Sequence, residues 1–242
     1  MRYQIIQPSV HLQSFIKDYL LFYAVFDKKD PAPVKPFPAT THHSMVFYLR
    51  GDITAVKTAT GQSKKFDRIV INAVQVSNFN FHLSSEYLML SVNFQPGALS
   101  KFLQMPLTAF MDERIDAEAI LNPGIKELYE QMSNAMINEN IIQLVETYLW
   151  KRIKNISTNL QPIDKISLLM TMHPGVYSIE QLAGHACLSI SQFERRFMKQ
   201  EGITPKLFDR INRFSSACLL KNLQPNLDWL YPGEPAVFYL AS

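Results

Sequence analysis

Residues 178–221 read SIEQLAGHACLSISQFERRFMKQEGITPKLFDRINRFSSACLLK, and this stretch predicts two short helices in tandem followed by a longer one. Ser178 and Gln181 stand three residues apart, and so do Ser189 and Gln192. In each pair the serine can cap the start of a helix while the glutamine side chain returns to the serine amide. A short capped helix, a tight turn and a basic second helix are the pattern of a helix-turn-helix.

The second helix, predicted over residues 189–201, has a dry side that carries Phe193 and Phe197. Helical spacing places the polar residues on its other side, namely Ser191, Gln192, Arg195 and Lys199. In the major groove an arginine can donate two hydrogen bonds to guanine, and a glutamine can pair in the same way with adenine. An ordinary solvated helix face is the alternative; the capping and turn pattern favours DNA contact for Arg195 and leaves both interpretations open for Glu194.

This segment resembles the first helix-turn-helix of the AraC-type bacterial transcription regulators. The residues that carry the resemblance are Leu182-Ala183, Leu188-Ser189, Phe193, Arg195, Phe197, Lys199, Gly202 and Thr204-Pro205, then Phe208 and Arg213. Where that family has a lysine directly after the second phenylalanine, this chain has Met198, and the charge follows at Lys199. The resemblance implies a cytoplasmic regulator that binds double-stranded operator DNA.

The resemblance also implies roles for individual residues. Base-facing positions fall on Ser191, Glu194 and Arg195, where Glu194 could accept a hydrogen bond from cytosine, and the helix face adds Gln192 to these base-facing residues. Phosphate contacts, which set register without reading sequence, fall on Arg196, Lys199, Lys206, Arg210 and Arg213.

Regulators of this family normally carry two such units joined by a long helix. Residues 223–230 look like the approach to a second unit, but residues 231–235 read YPGEP, and three helix breakers within five residues do not continue a helix. We therefore expect one truncated DNA-binding domain over residues 163–230, followed by an atypical tail over 231–242. A homodimer would restore two helix-turn-helix units to each complex.

The charge of the chain is unevenly distributed. Residues 1–150 hold 13 Lys and Arg against 14 Asp and Glu, whereas residues 151–242 hold 11 against 7. The net charge is therefore −1 for residues 1–150 and +4 for residues 151–242. The positive charge of the C-terminal part favours binding to a polyanion. The two cysteines, Cys187 and Cys218, are expected to be small core side chains and indicate a reducing compartment.

Residues 1–154 are predicted to form a β-rich domain. Strands are expected at residues 19–26, 44–49, 53–58, 68–71, 74–76, 79–83 and 87–94, at the near-regular spacing of a small barrel or sandwich. A polar loop is expected over 61–65, and Phe79, Phe81 and Leu83 alternate with polar residues as in a half-buried strand. Neither a signal peptide nor a membrane span is predicted.

Helices are predicted over residues 98–104, 125–136, 140–154 and 163–172, with a linker over 155–162. The predicted fold class is therefore α+β, with a β-rich, cupin-like barrel or sandwich that ends in a helical hairpin, and then an all-α helix-turn-helix domain. The same order of domains is frequent among the regulators that the chain resembles.

Enzymatic chemistry finds little support in the sequence. There is no nucleophile elbow, P-loop or glycine-rich nucleotide fingerprint. His42 and His43 are adjacent, and neighbouring residues on a strand point to opposite faces, so they cannot both bind one metal ion. We expect no enzyme, no metal and no cofactor.

An aromatic-lined pocket for a small effector is expected in the β-rich domain. The candidate lining residues are Phe47, Phe79, Phe81 and Tyr87, for which a plain core is the alternative. Two rival functions stay open. The chain could be a remnant that no longer binds DNA and acts by binding ligands or dimerising with related regulators, or a cupin-like enzyme.

Overall fold

The computed structural model describes residues 2–27, 34–135, 139–156 and 161–223. The strands are β1 (Arg2–Ile6), β2 (Ile16–Val25), β3 (Lys35–Phe37), β4 (Ser44–Arg50), β5 (Ile53–Lys57), β6 (Ser63–Lys65), β7 (Ile69–Asn72), β8 (Phe79–Leu83), β9 (Glu86–Phe94) and β10 (Arg114–Asp116). The helices are α1 (Ala98–Leu103), α2 (Ala117–Ile120), α3 (Gly124–Asn134), α4 (Glu139–Ile153), α5 (Pro162–Met172), α6 (Ile179–His185), α7 (Ile190–Glu201) and α8 (Pro205–Leu223), with a 3-10 turn at Val10–Leu12.

Two antiparallel sheets form the β-rich part. The larger has the strand order β1-β2-β9-β4-β7-β10, and the smaller has the order β3-β8-β5-β6. Aromatic side chains pack between them: Tyr48 and Tyr87 come from the larger sheet, and Phe79 and Phe81 from the smaller. The chain is thus α+β, as predicted, and its β-rich part is a two-sheet sandwich.

The outer face of the larger sheet is covered by helices. Side chains alternate along β4, so that Met45 and Phe47 pack in the core beneath α1, α3 and α4 while Val46 and Tyr48 face the smaller sheet. The hydroxyl of Tyr129 on α3 donates a 2.8 Å hydrogen bond to the carbonyl of Tyr48 and ties the helix layer to the strand.

Helices α5 to α8 have a separate core. Phe193, Phe197 and Phe208 are almost completely buried at its centre, with ring centroids 5.6 Å and 5.2 Å apart in succession. Side chains of the β-rich part join this core: Val74, two residues after the end of β7, lies among the helices, and Ala39 and Val76 pack against them. The two cores therefore meet along the segment after β7.

Most predicted elements appear within two or three residues of their expected bounds. The predicted polar loop at 61–65 is wrong in part, because Ser63–Lys65 form β6 and pair with β5. The predicted strand at 74–76 is also wrong: only Gln75 pairs, through an isolated bridge to Thr40. Part of the predicted linker (157–160), the approach to a second unit beyond residue 223 and the tail at 231–242 lie outside the described residues.

No helix in the described ranges is both long enough and apolar enough to cross a lipid bilayer.

Phe47 tests the assignment of the two faces of β4. Its ring is fully buried under the helix layer, so Phe47→Ala should lower the free energy of unfolding by about 3–5 kcal/mol, the range for deleting a buried phenylalanine side chain. Tyr3→Ala is the matched aromatic control, since Tyr3 is 57% exposed, and should change it by less than about 1 kcal/mol. Urea unfolding measures both, and equal effects would contradict the assignment.

Candidate DNA-binding surface and ligand pocket

Both predicted capping boxes are present. The Ser178 amide donates to Gln181 Oε1 at 2.8 Å, and the Gln181 amide donates to Ser178 Oγ at 3.3 Å. Ser189 and Gln192 make the same pair of bonds at 3.5 Å and 3.4 Å. Because reciprocal bonds fix where each helix begins, α6 and α7 start where the sequence predicts.

The turn between α6 and α7 depends on a left-handed residue. Cys187 has φ of 54°, and the chain then closes through a 3.0 Å bond from the Leu188 amide to the Ala183 carbonyl. The prediction that Cys187 is a core side chain is wrong, because this conformation turns it outward and leaves it exposed. Cys218, on α8, is half-buried. Ala183 is buried, which lets the two helices approach closely.

α7 has a sharply divided surface. Its buried side carries Phe193 and Phe197, and Arg195 lies on the opposite side by helical spacing. All four predicted base-facing side chains are exposed, namely Ser191, Gln192, Glu194 and Arg195. They lie in the first half of the helix, the half that reaches base edges in helix-turn-helix proteins.

α8 carries three of the cations predicted to bind phosphate. Lys206, Arg210 and Arg213 are all exposed, and their spacing places them on one face, opposite the buried Phe208 and Ile211. Arg213 is already engaged within the chain, because its Nε lies 3.1 Å from Asp209 Oδ2. Asp209 also accepts the Gly175 amide at 2.7 Å, so it links α8 to the turn that precedes α6.

The second half of α7 is docked against the β-rich part. The Leu107 amide donates a 2.8 Å bond to the carbonyl of Lys199, and Gly202 approaches so closely that a Cβ there would stand 2.9 Å from the Leu107 oxygen. A groove runs between α1 and α7, and the remaining predicted phosphate ligands, Arg196 and Lys199, line it with Lys101. The β-rich part therefore flanks α7 on one side and leaves the first half of α7 open to solvent on its outer face.

A buried polar cluster lies at this contact. Glu201 is completely buried; Ser167 donates to its Oε1 at 2.5 Å, and Gln200 donates to the same oxygen at 3.1 Å. His43, 2% exposed, faces it across the contact with Nε2 3.9 Å from Glu201 Oε2. Burial raises the pKa of Glu201 to about 7, against the hydrogen bonds from Ser167 and Gln200, and burial lowers the pKa of His43 to about 4.

In the segment that precedes β4, successive side chains face alternately the pocket and the helices. Thr41 Oγ1 donates a 2.6 Å bond to Asn212 Oδ1 on α8, and His43 faces Glu201 at the end of α7. Thr40 and His42, between them, line the cavity inside the sandwich. The expectation that His42 and His43 point to opposite sides is thus confirmed, although they lie just before β4 rather than within it.

The cavity between the sheets has a volume of about 160 Å³. Of the four predicted lining residues, Phe81 and Tyr87 line it. Phe47 does not, because its place in the period-2 alternation of β4 sends it to the helix-covered face. Phe79 belongs to the core between the sheets but is not part of the lining.

A row of polar residues crosses the larger sheet at this cavity. Cross-strand pairing aligns five lining residues in the order Arg114, Asn72, Ser44, Asn93 and Asp18. Asn72 Nδ2 donates to Ser44 Oγ at 3.2 Å, and Asn93 Nδ2 donates to Asp18 Oδ1 at 2.6 Å. Sequence reasoning missed this row, because its members come from five strands and only the pairing register aligns them.

The remaining histidines and acids form no metal centre in the part of the chain that the structure describes, where no group of three or more His, Cys, Asp or Glu side chains could hold an ion.

Comparison with known proteins identifies one family model, described as a domain of unknown function (DUF6597), which matches residues 4–116, less than half of the chain. No curated protein matches.

The solved structures that are similar to this chain include two of ToxT and one of CuxR. ToxT from Vibrio cholerae (P21 form) has a TM-score of 0.43 at 12% identity over 85% of this chain and 84% of that one. ToxT from V. cholerae strain SCE256 bound to an unsaturated fatty acid has a TM-score of 0.42 at 12% identity over 85% of this chain and 82% of that one. The AraC-like transcriptional activator CuxR has a TM-score of 0.31 at 9% identity over 89% of this chain and 85% of that one. At these scores the similarity assigns no function.

The buried pair His43 and Glu201 makes opposite contributions to the pH dependence of stability. His43 stays neutral in the folded chain between about pH 4 and its ordinary value of 6.5, so it makes stability rise with pH. Glu201 keeps a proton up to about pH 7 that the unfolded chain loses near 4.5, so it makes stability fall as pH rises. Between pH 4.5 and 6.5 the two contributions should nearly cancel.

Single substitutions should reveal how each of the two residues changes stability with pH. Glu201→Gln should make stability increase with pH over 4.5–6.5, and His43→Gln should make it decrease, each by up to about 1.4 kcal/mol per pH unit relative to the unchanged chain. Urea unfolding at several pH values measures this, with Glu194→Gln on the exposed face of the same helix as control. Parallel pH profiles for all four proteins would contradict the assignment.

Cys187 tests the geometry of the turn. A left-handed conformation costs a residue with a side chain roughly 1–2 kcal/mol, and glycine avoids that cost but loses more backbone entropy on folding. Cys187→Gly should therefore raise the free energy of unfolding by about 0.5–1 kcal/mol. The same change at Cys218, inside α8, should lower it, because glycine is less favourable than cysteine in a helix by about 0.3 kcal/mol and the half-buried thiol is lost. Destabilisation by both, seen in denaturant titrations, would argue against a left-handed Cys187.

Proposed function

We propose that the chain is a DNA-binding transcription regulator of the AraC type, which places α7 in the major groove and senses a small molecule with its β-rich part. The capped α6–turn–α7 unit carries this proposal, since its exposed first half presents Ser191, Gln192 and Arg195 away from the core. Arg195 would donate to guanine and Gln192 to adenine. Glu194 and Ser191 would contact neighbouring bases.

Phosphate contacts would come from both sides of α7. Arg196 and Lys199 lie at the groove beside α1, and Lys206 and Arg210 extend from α8. Arg213 would have to share its guanidinium with Asp209, so we assign it a smaller part of the phosphate affinity. One unit of this size makes few phosphate contacts, and affinity falls steeply as such contacts are lost. We therefore propose that the active species in the bacterial cytoplasm is a homodimer.

Effector binding would reach the DNA-binding helices through the segment at residues 40–43 and through Gln75. Gln75 lines the cavity and pairs with Thr40 through two backbone bonds of 2.8 and 3.0 Å. Thr41 directly follows Thr40 and contacts α8, and His43, three residues after Thr40, faces Glu201 at the end of α7. A ligand that shifts Gln75 or Thr40 would therefore move the side chains on which the docked helices rest.

The alternative of a ligand-binding remnant that does not bind DNA is favoured by one observation, the docking of Lys199 against Leu107. A flank occupied by the β-rich part restricts how deeply α7 can enter a groove roughly 12 Å wide. Absence of DNA binding would support this alternative.

DNA binding is tested by fluorescence anisotropy at several salt concentrations, on random duplexes and on a duplex selected from them for tight binding. Arg195→Ala should reduce the preference for the selected duplex by about 1–3 kcal/mol, because it removes a base contact. Lys199→Ala should weaken binding to every duplex and lower the salt slope by about 1.

Lys126→Ala, which removes the same charge from the exposed surface of α3, is the matched control and should change neither quantity. Light scattering of the complex should give two chains per duplex. No binding to any duplex at low salt would overturn the proposal, and equal effects of Arg195→Ala and Lys199→Ala on all duplexes would overturn the assigned roles.

A further inference from the structure

A buried guanidinium lies at one end of the cavity with no counter-ion in the described part of the chain. Arg114 is 9% exposed and lines the pocket, and no carboxylate among the described residues lies within ion-pair distance of it. Asp112 and Glu113 act on it only from farther away. The Asp112 carboxylate is occupied by the amides of Val76 and Ser77 and by Lys57, 3.7 Å away.

Aromatic rings hold this guanidinium in place. Its Cζ lies 4.4 Å from the ring centroid of Phe79, 4.9 Å from that of Phe66 and 5.2 Å from that of Phe81. Burial lowers the pKa of Arg114 to about 10, so the group still carries its charge at neutral pH. Ring faces attract a desolvated cation, but they satisfy none of its hydrogen-bond donors.

The donors of Arg114 are only partly used. Nη2 donates a 2.5 Å bond to Gln75 Oε1, while the buried Nε has no partner among the residues that the structure describes. Asn72, its cross-strand neighbour in the cavity lining, likewise has a buried Oδ1 without a partner in the described ranges. A buried charge with an unused donor is destabilising unless an anion or acceptor meets it.

We propose that the cavity binds a small organic monocarboxylate, with Arg114 as the anchor of the carboxylate and the aromatic wall around its apolar body. Its role as an effector site rests on the proposed regulatory function. The guanidinium fork matches a carboxylate in two hydrogen bonds. A doubly charged phosphate on Arg114 would leave one charge uncompensated, since Lys17, the other basic side chain of the lining, is exposed and lies on β2, four strands from Arg114.

The size of the cavity limits the apolar body. At about 160 Å³ it resembles apolar cavities of about 150 Å³ that accommodate benzene. Its wall is formed by Tyr48, Phe66, Phe81, Tyr87 and Met89. Asp18, the one acidic group in the lining, lies four strands from Arg114 in the polar row, roughly 19 Å away at the usual strand spacing. A ligand of this size on Arg114 therefore avoids that negative charge.

Benzoate is a suitable probe, with benzamide as its neutral analogue of the same shape and inorganic phosphate as an anion without an apolar body. We expect titration calorimetry on the full chain without DNA to show benzoate binding at least tenfold tighter than benzamide, and phosphate binding weaker than benzoate. Benzamide or phosphate binding as tightly as benzoate would overturn the proposal.

Two variants separate ligand binding from a purely structural role of Arg114. Arg114→Lys keeps the charge and removes the planar fork, and should weaken benzoate at least tenfold. Asn72→Asp places a carboxylate directly across from Arg114 in a side chain of the same shape, and should weaken benzoate at least as much without lowering thermal stability. Unchanged benzoate affinity in the stably folded Asn72→Asp protein would overturn the proposal.

This experiment is independent of the DNA measurement. Failure of benzoate to bind, with DNA binding intact, would reject the ligand class and leave the regulator standing. Benzoate binding without DNA binding would retain the carboxylate site and reject the regulatory function.

Discussion

The larger sheet is covered on both faces, and this constraint organises the rest of the molecule. Its outer face packs under α1, α3 and α4, and its inner face closes the cavity against the smaller sheet. Because side chains alternate strictly along a strand, each residue of β4 has only one of these two environments. Met45 and Phe47 belong to the core, and Val46 and Tyr48 belong to the pocket.

The same alternation continues into the segment before β4 and connects the pocket to helices α7 and α8. Thr40 and His42 line the cavity, while Thr41 and His43 contact α8 and α7. Polar groups at this contact are deeply buried, and within the described residues the carboxyl of Glu201 accepts hydrogen bonds on one oxygen only. Such a contact is costly to leave half satisfied. Its strength should therefore respond to small changes in the residues around it.

Local patterns predicted the elements of this chain well, and the candidate site in part. The two capping boxes and the spacing of Phe193 and Phe197 depend on residues within one turn, so α6 and α7 begin where expected. β6 was missed because Ser63–Lys65 are polar and exposed and become a strand only by pairing with β5. Cys187 was misplaced because its position depends on one left-handed backbone angle, which composition does not reveal.

By itself the sequence determined the α+β order of the chain, the helix-turn-helix and the exposed face of α7, because capping and helical periodicity act between near neighbours. The tertiary structure alone decided that Phe47 leaves the pocket, that Arg114 is buried in it with no counter-ion among the described residues, and that Glu201 meets His43. Those facts depend on strand register and on the docking of α7, which join residues far apart in the chain. Interactions of that range leave no periodic signal in the sequence.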